Sequence, residues 1–203
     1  MKIKEMKLYQ EMISDIIFIS PQRLKYADDI KVNRKGQSSL WPYGISGDRP
    51  IVLVVLGKTE DTEILYEVLK AHEYWRTKDL SIDLVIMVRE ENSYSNPLYS
   101  LITEIVHSSQ TYDACSHYND IFIINSNNVL EGDMSLFYAA ARMIFEGGLG
   151  TMKEQLQNEN SSEFTEKVAG AVDPPIFDKP DHTHYKMLSQ SSKVYSGSDI
   201  NKL

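Results

Sequence analysis

Pro50-Ile-Val-Leu-Val-Val-Leu56-Gly57-Lys58-Thr59 decides the fold. Its six apolar residues, Ile51 to Leu56, run unbroken between a proline and a glycine and are rich in β-branched side chains, too short a run for a helix. A strand without a polar face is buried on both sides, as in a parallel sheet. Thr59 then reads as a helix N-cap, and Glu60, Asp61 and Glu63 load the first turn with the acid that the helix dipole favours. Ile64, Leu65, Val68, Leu69, Ala71, His72 and Trp75 recur at helical spacing and carry that helix to near Thr77.

The same unit recurs downstream. Ile82 to Val88 reads as a second strand, Asn92 to Asn96 as a polar turn, and Pro97 as the first-turn proline of a helix running to about Ser108. Asp120 to Ile124 is a third strand, and Asn125 to Gly132 a turn. Met134 to about Glu146 reads as one helix closed by Gly147-Gly148. Alternation at this spacing predicts an α/β fold: a small three-layer unit of about three parallel strands with crossover helices.

Upstream, Met6, Tyr9, Met12, Ile13, Ile16 and Ile17 mark an N-terminal helix from Ile3 to about Ile19, which Ser20-Pro21 breaks. A charged connector runs to Lys35. Two prolines and two glycines then make Leu40-Trp-Pro-Tyr-Gly-Ile-Ser-Gly-Asp-Arg-Pro50 a loop. Downstream, Val172-Asp-Pro-Pro175 and the Ser-rich end predict a polar, poorly ordered tail. The parts are therefore residues 1–36, helix and connector; 37–156, the α/β domain; and 157–203, the tail.

Composition narrows the function. In 203 residues, 42% hydrophobic and 25% charged content is globular. A net charge of -8 without clustered Lys or Arg argues against nucleic acid and anionic membrane as partners. No run approaches the roughly 18 apolar residues that span a bilayer. The single cysteine, Cys115, allows no internal disulfide and fits a cytoplasmic location.

The 44–48 loop carries two readings. Trp41, Tyr43, Ser46 and Asp48 could contact a carbohydrate, with the glycines letting backbone approach; alternatively the glycines supply positive φ to a structural turn that Asp48 ties together. Gly57-Lys58-Thr59 opens a helix where α/β proteins bind anions, but Glu60, Asp61 and Glu63 would repel phosphate, so capping is the better reading. His72 has Arg76, not a second histidine, four residues on, and packs with Trp75 against the sheet. His107 and His117 stand alone, and His182 and His184 lie in the tail. The residues point to no catalytic constellation, no metal site and no cofactor.

Leu40 to Val54 resembles the 1,2-β-oligoglucan phosphorylases and the phosphorylase-like part of cyclic β-1,2-glucan synthases, both of glycoside hydrolase family 94. Tyr9-Gln10, Ala71-His-Glu-Tyr-Trp-Arg76, Ile82 to Ile86, and Phe145-Glu-Gly-Gly-Leu-Gly150 through Gln155-Leu156 extend the likeness over residues 8 to 156. Arg49 departs from it, standing where the motif has an aliphatic residue, and Gly57-Lys58 replaces a more hydrophobic strand end. The resemblance implies a segment of a much longer enzyme whose β-sandwich and (α/α)6 barrel are its partners, with β-1,2-glucan as a possible ligand. The barrel would supply the aspartate general acid and most of the phosphate site. No stretch here matches the barrel motifs, so the resemblance places no catalytic residue on this chain.

Overall fold

In the computed structural model, residues 3–18, 20–90, 96–110, 120–130 and 132–157 are described. The readings that fall on Cys115, His117, His182, His184, most of the Asn92–Asn96 turn and the tail from residue 158 lie outside them.

The founding run forms strand β1 (Ile51–Leu56), buried at all six positions. Helix α3 (Thr62–Arg76), β2 (Asp83–Val88), α4 (Pro97–Gln110) and β3 (Ile121–Asn125) follow as expected. The 134–146 segment does not form one helix. It splits into α5 (Met134–Ala140) and a fourth strand, β4 (Ala141–Glu146). All four strands are parallel, in the order β3-β2-β1-β4. Strand β1 must find hydrogen-bond partners on both edges, because it is buried throughout. Strand β4 supplies the second edge, which outweighs the helix propensity of its alanines.

Side-chain alternation divides the core into two layers. Val52, Val54 and Leu56 meet α3, α4 and the N-terminal helix α1 (Ile3–Ile17) on one face. Ile51, Leu53 and Val55 meet Leu136, Phe137 and Tyr138 of α5, with Leu40 and Ile45, on the other. The expected three-layer architecture is present.

The connector is more ordered than its charge suggests. Ser20 accepts a hydrogen bond from Gln22 N and opens a 3-10 helix, Pro21–Tyr26, that leads into α2 (Ala27–Val32). Gln22 is itself buried, and its Oε1 accepts from Ile144 N at 3.1 Å. On β4, Gln155 of α6 (Met152–Gln157) accepts from Glu146 N and donates to Glu146 O. Two glutamine side chains thus substitute for a neighbouring strand and blunt the edge of β4.

A buried polar cluster lies where the strands begin. His72 Nε2 is 3.0 Å from Ile82 O and 3.8 Å from Asp120, which Arg76 also approaches at 3.7 Å. Arg49 sits 3.5 Å from Asp83. Burial pushes His72 below its ordinary 6.5, with Asp120 opposing and Arg76 reinforcing the shift. The unfolded chain therefore binds the proton more readily, so this contribution to stability is full above pH 6.5 and falls as pH drops towards the folded value. Burial raises the Asp83 carboxyl above 3.8, which gives the opposite sign in a window starting at that value. Denaturant titrations between about pH 7.5 and 5.5 should show stability declining, and His72→Gln should flatten the decline. A decline of equal slope in His72→Gln would remove the histidine from the account.

Candidate functional site

The 44–48 loop is the end of a helical turn. Gln37–Tyr43 form a 3-10 helix with Pro42 inside it, in place of the irregular loop expected, and Gly44 caps it at φ 79°. Gly47 has φ 74°, and a Cβ there would lie 2.7 Å from Gln37 Cγ, so this position requires glycine. Gln37 Nε2 donates to Ser46 O and to Asp48 Oδ1, both at 2.9 Å. Ser46 Oγ accepts from Asp48 N at 3.3 Å.

Of the four residues singled out in this loop, Trp41, Ser46 and Asp48 are tied together by hydrogen bonds, and Tyr43 turns away from them. Tyr43 donates to Asp133 Oδ2 at 2.7 Å and accepts from Leu130 N at 3.0 Å, with its ring edge-on to Phe137. That hydroxyl is spent on the fold. Burial works to raise the Asp133 carboxyl, but hydrogen bonds from Lys35 and Tyr43 outweigh it and hold the group below its ordinary value. Trp41 is 64% exposed and held only by its indole N–H to Ser46 O at 3.3 Å. Asp48 lines a cavity.

That cavity, about 630 Å³, opens at the amino ends of the strands. Its charged walls are Arg23, Lys35, Arg49 and Arg142, against Asp48 alone. Lys35 pairs with Asp133, and Arg49 with Asp83. Arg23 donates from one terminal nitrogen to Ala139 O at 2.6 Å, while its buried Nε has no partner. Arg142 reaches the cavity through a bulge. Ile51 pairs with Ala141 and Val52 with Met143, so Arg142 is the extra residue on β4. Sequence reading missed this site because its cations lie far apart in the chain. The departure at Arg49 was its one visible sign.

A second crevice, about 870 Å³, lies over the carboxyl ends of the strands, lined by Lys58, Glu60, Arg89 and Glu90 among others. Its β1 loop is closed to anions. Asp61 Oδ2 accepts from Gly57 N at 3.0 Å and Lys58 N at 2.9 Å, taking the N–H groups a phosphate would need. The N-cap position of α3 falls to Asp61, not Thr59, because the chain enters α3 through a 3-10 turn, Thr59–Asp61, which the Asp61 carboxylate closes back onto Lys58 N. Among the described residues, no helix is long and apolar enough to cross a membrane.

No protein-family model matches the chain. Over 136 residues, 66% of the chain, it is 27% identical to the cyclic beta-(1,2)-glucan synthase NdvB of Rhizobium meliloti (strain 1021). The match spans 5% of that protein's length. The chain is thus distantly related to a segment of a glucan synthase.

Proposed function

We propose that this chain is a non-catalytic α/β segment of a β-1,2-glucan-processing enzyme of glycoside hydrolase family 94, either a phosphorylase or a cyclic synthase. The whole enzyme would make or phosphorolyse β-1,2-glucosyl bonds, and this segment would pack against its β-sandwich and (α/α)6 barrel. The observation that carries the reading is the 27% identity with the cyclic synthase over most of the folded chain. Phe18 at 71% and Val32 at 70% exposure support it, as apolar side chains that a neighbouring domain would cover. Incubated with β-1,2-gluco-oligosaccharide and inorganic phosphate, the chain alone should release no sugar phosphate. Steady release would end the non-catalytic reading.

A second reading, a free-standing carbohydrate-binding module, is favoured by Trp41, whose ring is presented to solvent beside the self-tied loop. Exposed aromatic faces suit the C–H faces of a sugar ring. The chain has two tryptophans, and Trp75 is fully buried, so a sugar-dependent change in tryptophan emission reports on Trp41. Titration with β-1,2-gluco-oligosaccharide should give a saturable change that Trp41→Ala abolishes, with a stability change within about 0.5 kcal/mol. Silence in the unaltered chain would dispose of the module reading.

A further inference from the structure

The whole chain carries a net charge of -8, yet the cavity at the amino edge of the sheet reverses that sign. Subtracting the pairs already made, Lys35 with Asp133 and Arg49 with Asp83, leaves the cations Arg23 and Arg142 against the single carboxylate of Asp48. Among the described residues, the Arg142 guanidinium has no hydrogen-bond or ion-pair partner. The Asp48 carboxylate on the same wall already takes a hydrogen bond from Gln37. Burial, then the like charge of Arg142, pushes the Arg23 guanidinium below its ordinary value, so the two cations stand close enough to repel.

Two further features look arranged for a ligand. A bulge in a parallel pair is uncommon, and bulges serve to re-aim a side chain; here it turns Arg142 out of the regular ladder into the cavity. The Arg23 Nε–H is buried without an acceptor, an expense a folded chain rarely leaves standing. An anion in the cavity, with Arg23 turned towards it, would satisfy both. Like-charged guanidiniums held together need an anion between them.

We propose that this cavity is an oxyanion site taking a small organic phosphomonoester, with Arg142 and Arg23 forking onto its phosphate. Two guanidiniums without a carboxylate partner face the roughly two negative charges of a phosphomonoester, with Asp48 the one opposing charge on the wall. The three terminal oxygens of a phosphomonoester point in different directions and can meet two guanidiniums at once, where a carboxylate offers two oxygens in one plane. At about 630 Å³ the space exceeds what a bare phosphate needs, and Ile16, Leu40, Ile51 and Leu136 give an organic body apolar wall. The assignment is independent of the glucan reading: a chain that binds a phosphomonoester and no glucan keeps the one and loses the other.

The test is calorimetric titration of the full chain with phenyl phosphate, inorganic phosphate and succinate, alongside thermal melts. Phenyl phosphate should bind saturably, at least about tenfold more tightly than succinate, and Arg142→Gln should weaken it by about tenfold or more. Arg142→Lys, which keeps the charge and loses the fork, should fall between. Without ligand, Arg142→Gln should melt about 2–4 °C higher, because the substitution relieves a like-charge contact. No saturable binding of either phosphate, unchanged affinity in Arg142→Gln, or a lowered ligand-free melting temperature in that variant would overturn the site. Succinate binding as tightly as phenyl phosphate would overturn the phosphomonoester assignment.

Discussion

Trp75→Ala is expected to cost about 3–5 kcal/mol, the range for emptying a buried aromatic position. Trp75 is the largest fully buried side chain, and its indole N–H donates to Tyr9 O at 2.9 Å. Truncation therefore opens a cavity and also removes one of the two hydrogen bonds the Tyr9 carbonyl accepts, the other being its bond within α1. Against a total stability of about 5–15 kcal/mol for an ordinary domain, that brings the fold near its limit. Urea titration followed by far-UV circular dichroism would measure it. Trp75→Phe should lose less, since it keeps most of the packing and forfeits mainly the hydrogen bond. The loss should reach the cavity too. Tyr9 lies on α1, the helix whose Ile16 and Ile17 form one cavity wall, so loosening α1 should weaken phenyl phosphate binding. A Trp75→Ala loss below about 1 kcal/mol would mean that α1 is not held through this residue.

The parts of the fold that sequence makes plain are those set by local pattern. The runs at 51–56, 82–88 and 120–124 are apolar and short, each followed by a turn signal, and all three are strands within a residue of the expected bounds. Strand β4 was hidden for a physical reason. Ala139-Ala140-Ala141-Arg142 has strong helix propensity, and Gly147-Gly148 ends a strand as readily as it caps a helix. Only the vacant edge of β1, a property of the assembled sheet, makes residues 141–146 a strand. The site was obscured the same way. With the segment read as helix, Arg142 has no reason to face Ile51, and the bulge that re-aims it does not exist. Glycines 44 and 47 showed themselves because a turn needs positive φ locally. Arg23, Lys35, Arg49 and Arg142 share a cavity only after the chain has folded, so no spacing rule could gather them.

The closing of β1 against β4 supplies the other large effect. A Cβ on Gly147 would lie 2.2 Å from the Asp61 carboxyl carbon and oxygen, well inside contact distance. Neither neighbour has room to yield. Gly147 N donates to Val55 O at 2.8 Å, fixing it to β1, while the Asp61 carboxylate holds Gly57 N and Lys58 N in the turn that starts α3. Gly147→Ala must therefore expel Asp61 from that turn or pull β4 off its partner. Overpacking costs about 1–3 kcal/mol, and the orphaned N–H groups add to it, so a loss of about 3–4 kcal/mol is expected. Asp61→Gly alone should cost about 1–3 kcal/mol through the same two N–H groups. The double variant is the decisive one. With Asp61→Gly, which also removes the Cβ that would lie 2.5 Å from the new methyl, there is space, and Gly147→Ala should then cost about 1 kcal/mol or less, a coupling of at least 2 kcal/mol. Additive losses would show that steric exclusion by Asp61 is not why glycine stands at the end of β4. Strong coupling would show that one carboxylate both ties the turn leading into α3 and dictates the residue closing the neighbouring strand.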